Sequence, residues 1–339
     1  MESKLVYIGL NSDGSSRLVP AEELAGRLHG PGRITPQKLK EEHRISDELW
    51  PTVQREIARA YREVVYPDPS EADLYRRVNQ KLGRYALIFP PYGRPSELSK
   101  IYNILQQEPV RLGEIGAEMH NLVIRPKTRA RMLTGLYMKI PLFAEFAHVI
   151  DASYFAYVRG NFIAALYTII PVVEGLLLRW RGHSSSSLES PAMANAALWV
   201  REAPKRNPLL TRPLFADSWA ESCSYILEHH FDKKTQTGQS YDNFNRHLAL
   251  HMLEDATVYN PDNLMRVFLL LDTLTYLYLS EHWHPDPIMF FRPEEEEPHA
   301  RAYLRAFQEQ LEGVGNRPEE ILWTHARSNP SNLMRDKYK

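Results

Sequence analysis

Three side chains suited to proton transfer or anion binding, Arg246, His247 and His251, fall within six residues of the stretch YDNFNRHLALHM. An imidazole, with a reference pKa near 6.5, takes or gives a proton at neutral pH. A guanidinium that stays charged can hold a phosphate and the charge that grows on it. Together these groups suit phosphodiester cleavage, and RNA brings its own nucleophile, the 2′-hydroxyl, so the chemistry requires no metal. Helix geometry alone does not bring them together, because at about 100° per residue Arg246 and His251 point roughly 140° apart. Arginine is long enough to reach around. The chain turns irregular just after His251, in EDATVYNPDN, which puts that histidine in the last helical turn, where the helix dipole favours a protonated ring.

Other readings of the same residues stay open. Arg246, His247 and His251 could be polar decoration on an ordinary packed helix. His247 and His251 also have the i, i+4 spacing of a helical zinc pair, which needs a third ligand from His229, His230 or Glu254, with nothing to select among them. Glu174 lies inside the apolar run FIAALYTIIPVVEGLLL and demands a partner, since an unpaired buried carboxylate is costly. Tyr167 and Arg181, seven residues to either side, offer a structural partner on the same helix face. Asp272, within LLLDTL, reads as a buried partner in the bundle rather than a catalyst.

The elements that must position these groups are helical. A strand-like LVYIGL at 5–10 and the turn-forming NSDGSS precede a chain with little other sheet signal. Apolar periodicity predicts a helix over 36–65 with a break near Pro51, and another over 70–83. The Pro-rich FPPYGRP at 89–95 is the first candidate boundary. From residue 96 the spacing predicts helices at 96–106, 111–122, 128–150, 152–181, 191–202, 208–231, 240–251 and 262–283, with Pro171 bending the fourth. The acidic run at 294–297 opens a final amphipathic helix, where negative charge suits the positive end of the dipole.

Two separated stretches carry a family resemblance. FNRHLALHM followed by YNPDNLMRVFLLLDTL resembles the signature half of HEPN domains, in which an arginine, a polar residue and a few further residues precede a histidine; here these are Arg246, His247 and His251. RGNFIAALYTIIPVVEGLLLRW resembles the earlier helix of that domain, with Glu174 as the acidic residue before Gly175, Leu176 and Leu177. The resemblance covers about residues 145–283 and departs from many relatives at Met252, where they have glycine. It implies a helical domain that dimerises so that two motifs share a cleft, often acting as a metal-independent endoribonuclease in toxins and antiviral defence. It further implies that Arg246 stabilises the phosphate, that His251 is the acid or base, that His247 is the polar residue after the arginine, and that Glu174 orients Arg246 or a histidine. The product ends implied are a 2′,3′-cyclic phosphate and a 5′-hydroxyl.

Positive charge clusters in RPKTRARMLTGLYMK, with Arg125, Lys127, Arg129 and Arg131, and in WVREAPKRNPLLTR, with Lys205 and Arg206 close to Trp199. Either cluster could contact RNA phosphate, with an aromatic to stack a base, or be plain solvated surface. No chain-wide charge excess supports the first option: 339 residues carry a net charge of -1. The hydrophobic content of 43% is ample for a core. A single cysteine excludes a disulfide framework within one chain and fits a reducing cytoplasm. The first residues lack the apolar core of a signal peptide, and the apolar runs at 162–178 and 267–279 read as core helices of a soluble protein rather than membrane spans.

The expectation is therefore an all-α helical bundle with a mostly helical N-terminal region (1–120), a HEPN-like domain (121–292) and a C-terminal helix and tail (293–339). Its expected activity is homodimeric endoribonuclease cleavage of RNA without metal or other cofactor, under the control of a regulatory or antitoxin partner, and without a membrane. The alternatives are a non-catalytic dimerisation module and a histidine-ligated metallohydrolase.

Overall fold

The β-branched and aromatic run LVYIGL, exposed and buried in turn from Leu5 to Ile8, forms strand β1, Leu5–Leu10, which pairs antiparallel with β2, Ser16–Pro20, Tyr7 facing Leu18. A computed structural model of the chain describes residues 5–11, 15–29, 34–54, 56–57, 69–183, 195–206, 213–234, 240–251, 258–282 and 292–313. The second strand is an addition to the sequence expectation. SRLVP is short and carries one outward apolar side chain, Leu18, so its period-2 signal is weak. Val6 and Ile8 pack beneath the hairpin on Leu24 and Leu28 of α1 (Ala21–His29) and Leu39 of α2 (Pro36–Glu42), together with Val53 and Ile57. Thr35 caps α2 by accepting the Lys38 N–H at 3.2 Å. The expected helix over 36–65 stops at Glu42, where Arg44 takes a left-handed φ of 49°, and helical geometry resumes at residue 50.

A second, larger core gathers α3 (Pro69–Gly83), α4 (Pro95–Leu105), α5 (Leu112–Val123), α6 (Pro126–Met132), α7 (Pro141–Ala144), α8 (Ala147–Val158), α9 (Phe162–Trp180), α10 (Ala196–Arg206), α11 (Pro213–Ile226), α12 (Arg246–Leu250), α13 (Pro261–Glu281) and α14 (Pro293–Leu311). The all-α expectation holds: the hairpin is the only sheet among the described residues. Among the described residues, the buried members of the smaller core end at Ile57 and those of the larger core begin at Tyr75. Ile115 and Met119 of α5 and Tyr303 and Ala306 of α14 share one core with α9 and α13. Helix α13 is buried all round, with every residue from Asn263 to Thr275 inside, so it is the element about which the others pack. Helix α9 is long and apolar enough by composition to cross a membrane, and it packs Ile169, Val173 and Leu177 into this core.

Two expected helices break elsewhere. The stretch 128–150 divides into α6, a π-helical turn at Leu133–Tyr137, and α7, which starts at Pro141. The break expected near residue 151 falls instead at Gly160, whose φ of 73° reverses the chain between α8 and α9. The run ASYFAYV continues the apolar register of α8, which hides the boundary, while only glycine adopts that φ at little cost.

The π-helical turn also completes a buried charge network. Arg129 of α6 is 3% exposed and Asp272 of α13 is fully buried. Arg129 Nη1 donates to Asp272 Oδ1 at 3.1 Å, and Nη2 pairs with Oδ2. The hydroxyl of Tyr92 donates to Asp272 Oδ2 at 2.6 Å, and that of Tyr137, at the end of the π turn, donates to Oδ1. Burial, then the Asp272 charge, pushes both tyrosine pKa values well up, which keeps them as donors. Arg129 is therefore corrected from an RNA contact to a core residue: its charge is consumed by Asp272, and its guanidinium lies 5.2 Å from the Phe268 ring centroid. Asp272 is the buried bundle partner its sequence context suggests.

Candidate functional site

Helix α11 runs into a second π-helical turn, Leu227–Phe231, and Asp232 closes it as the C-cap. The chain returns through a short 3₁₀ turn, Tyr241–Asn243, where Asp242 and Asn243 have φ values of 53° and 52°. Two side chains from the start of α13 hold this strained turn. Arg266 Nη1 donates to Asp242 Oδ2 at 2.8 Å, and Asn263 Nδ2 donates to the Asp242 carbonyl at 3.0 Å. Asn245 then caps α12: its Oδ1 accepts the His247 N–H at 2.8 Å, while its Nδ2 donates to the Lys233 carbonyl at 2.6 Å. The helix expected over 240–251 is thus five residues long, because the left-handed pair and the cap consume its first half. Arg246 is its first residue and His251 its C-cap, so His251 does close the last turn as its sequence position suggests.

Arg246 is 15% exposed and lies between two carboxylates. Its Nη1 pairs with Glu174 Oε1 from α9, and its Nε donates to Asp232 Oδ1 at 2.5 Å. The same Asp232 oxygen lies 3.3 Å from His247 Nε2. Glu174 therefore finds its partner in the Arg-His segment, not in Tyr167 or Arg181 of its own helix; Tyr167 instead stacks on Tyr259 with ring centroids 5.8 Å apart. The imidazoles of His247 and His251 share a face, 6.1 Å apart and 10° from parallel, and His251 is exposed. Burial, then the Arg246 charge, lowers the His247 pKa, while Asp232 acts in the opposite sense. Behind Arg246 a cavity of about 10 Å³, lined by Ile170, Phe231, Phe244 and Asn263, has room for about one water.

The structure does not draw the other histidines into this cluster. His229 packs on the Tyr225 ring, and His230 is buried, its Nδ1 accepting the Tyr241 N–H at 3.2 Å and its Nε2 donating to the Gly83 carbonyl at 3.0 Å. Among the described residues no three histidine, cysteine or acidic side chains are grouped to hold a metal ion. Glu254 and Met252 lie outside the described residues. Cys223 is fully buried, and burial raises its pKa well above the usual thiol range.

His230 makes an acid-sensitivity prediction. Burial pushes its pKa down to about 4. The unfolded chain binds this proton below about pH 6.5 and the folded chain only near 4, so the contribution is fully present above 6.5 and is lost as pH falls through that window. The expected loss between pH 7 and pH 4.5 is on the order of 2 kcal/mol, discounted for residual solvent contact. Urea midpoints at the two pH values check it, since a His230→Gln chain should lack that part of the slope.

The basic clusters divide. Arg125 and Lys127 at the start of α6 are exposed, and Arg131, also exposed, lies 3.3 Å from Glu296 of α14. Lys205 pairs with Glu202 at 2.8 Å on its own helix and is open to solvent. Arg206 is corrected to a structural role: it holds both Glu281 oxygens at 2.7 and 2.8 Å, donates to the Trp199 carbonyl and stacks 3.9 Å from the Trp199 ring centroid, leaving little of its charge for phosphate. Sequence reasoning missed Asp232, Asn245 and Arg266. Asn245 could have been found as an asparagine, a favoured helix cap, just ahead of RHLAL; Asp232 had no local signal.

The fold and site define an all-α protein in which a carboxylate-held arginine and an exposed histidine stand at opposite ends of one short helix. Comparison with known protein families, curated proteins and solved structures gives no match.

Proposed function

We propose that this chain is a metal-independent endoribonuclease of the HEPN type, cleaving RNA by attack of the 2′-hydroxyl. The observation that carries the reading is the Glu174–Arg246 pair. It joins the two separated halves of the HEPN resemblance, 72 residues apart, through one contact. With Nε and Nη1 engaged, Nη2 of Arg246 has no partner among the described residues and is the edge that would meet a phosphate oxygen.

In the proposed reaction the 2′-oxygen bonds to phosphorus as the P–O5′ bond breaks. A base takes the 2′-hydroxyl proton, an acid protonates the departing 5′-oxygen, and Arg246 offsets the charge building on the phosphoryl oxygens. His251, exposed at the helix end, fills one proton-transfer role, and the second copy of the motif in a homodimer supplies the other. The product ends are a 2′,3′-cyclic phosphate and a 5′-hydroxyl. A toxin or antiviral effector held in check by a regulatory protein fits such an activity. Arg125 and Lys127, exposed at the start of α6, would meet RNA, with Arg131 and Lys205 beside their partners Glu296 and Glu202.

A second reading, a non-catalytic interaction module, is favoured by one feature. Two carboxylates against one guanidinium leave the cluster with excess negative charge, as suits a structural ion pair. Incubating an RNA pool with purified protein in EDTA separates the two. The nuclease reading expects wild type to cut while folded Arg246→Ala and His251→Ala chains do not; equal behaviour of all three would leave the interaction module.

A further inference from the structure

Among the described residues, Asp232 lies against both the arginine and a histidine of the site, and it comes from a different element than either. It stands at the end of the π turn Leu227–Phe231, and the bond from Asn245 Nδ2 to the Lys233 carbonyl fixes that segment against the start of α12. A single oxygen, Oδ1, lies 2.5 Å from Arg246 Nε and 3.3 Å from His247 Nε2. We propose that Asp232 is a positioning residue that orients the Arg246 guanidinium and the His247 ring together, and this role in catalysis rests on the nuclease reading above.

The geometry has two consequences. Holding Nε, while Glu174 holds Nη1, fixes the guanidinium plane so that Nη2 is the remaining edge. With Asp232 Oδ1 3.3 Å from Nε2, the carboxylate also favours the His247 tautomer that carries its proton on Nε2 and leaves Nδ1 as an acceptor. Asp232 thereby holds the His247 ring stacked beside His251. Among the described residues, the charged or titratable groups around His247 are Arg246 and His251 of its own helix segment and Asp232 opposite, with Glu174 of α9 acting through Arg246.

The test combines two readouts on full-length wild type, Asp232→Asn and Asp232→Glu, each checked for folding by circular dichroism and thermal melting. The first is the NMR titration of the His247 side chain, which needs no RNA. Losing the carboxylate removes a charge that favours the imidazolium, so the Asp232→Asn midpoint should fall, and Asp232→Glu should restore part of the shift. The second is RNA cleavage across pH. Asp232→Asn should lower kcat about tenfold or more, with little change in KM, because ordering of the catalytic groups is lost while substrate contacts remain. A lowered midpoint with a lowered kcat supports the proposal. An unchanged midpoint overturns it whatever the activity, and a lowered midpoint with unchanged kcat overturns the role in catalysis. If wild type cuts no RNA, the nuclease reading falls, and the titration still decides whether Asp232 holds His247.

Discussion

An Asp272→Ala chain is expected to lose about 3–5 kcal/mol of stability, which is much of what a domain of ordinary stability has. The substitution strands the Arg129 guanidinium in the core, 2% exposed at its side chain, with its anion gone. It also deprives the Tyr92 and Tyr137 hydroxyls of their acceptor. An unpaired buried cation is the costly part, so pairing the change with Arg129→Met should recover much of the loss. Urea unfolding of wild type, the single and the double variant checks this. A single variant within about 1 kcal/mol of wild type would mean that water or a relaxed packing reaches Arg129, contrary to its burial.

On the proposed nuclease reading, Arg246→Ala is expected to lower RNA cleavage by about 10²–10³-fold, the usual consequence of deleting a group that stabilises transition-state charge. Arg246→Lys should recover little, because one ammonium cannot bond Asp232, bond Glu174 and still present a further N–H edge to phosphate. The alanine change also leaves Glu174 and Asp232 without the cation between them, and at roughly one-fifth exposure each the expected stability cost is about 1–2 kcal/mol. Single-turnover cleavage rates measured beside thermal melts separate the two effects. Loss of cleavage only in step with loss of fold would reduce Arg246 to a structural residue.

Much of the architecture was legible because helices announce themselves by period. The apolar runs at 162–178 and 267–279 read as core helices, and both lie in the larger core as α9 and α13. Buried acids were legible in a narrower way. Glu174 and Asp272 stand in runs too apolar to leave a carboxylate alone, so each announced a need for a partner. Spacing named neither partner, because Arg246 and Arg129 lie 72 and 143 residues away, and only the HEPN resemblance offered Arg246 or a histidine for Glu174.

Arg129 was misread for the same reason. Its neighbours Arg125, Lys127 and Arg131 make RPKTRARM look like one basic surface, and the burial of a single member depends on where α13 passes. Asp232 was invisible because its role arises only when a π turn brings the end of α11 against the start of α12. Strand β2 and the turn at Gly160 were lost to short or continuous patterns rather than to distant contacts.

The nuclease proposed above would cut RNA through the substrate's own 2′-hydroxyl. The most direct measurement incubates wild-type protein in EDTA with an end-labelled RNA and with the same RNA carrying 2′-O-methyl groups, and resolves the product termini. The expected result is cleavage of the first to fragments ending in a 2′,3′-cyclic phosphate, with the methylated strand intact. Cutting of both strands alike, or no product from either over a wide range of protein concentration, would contradict it.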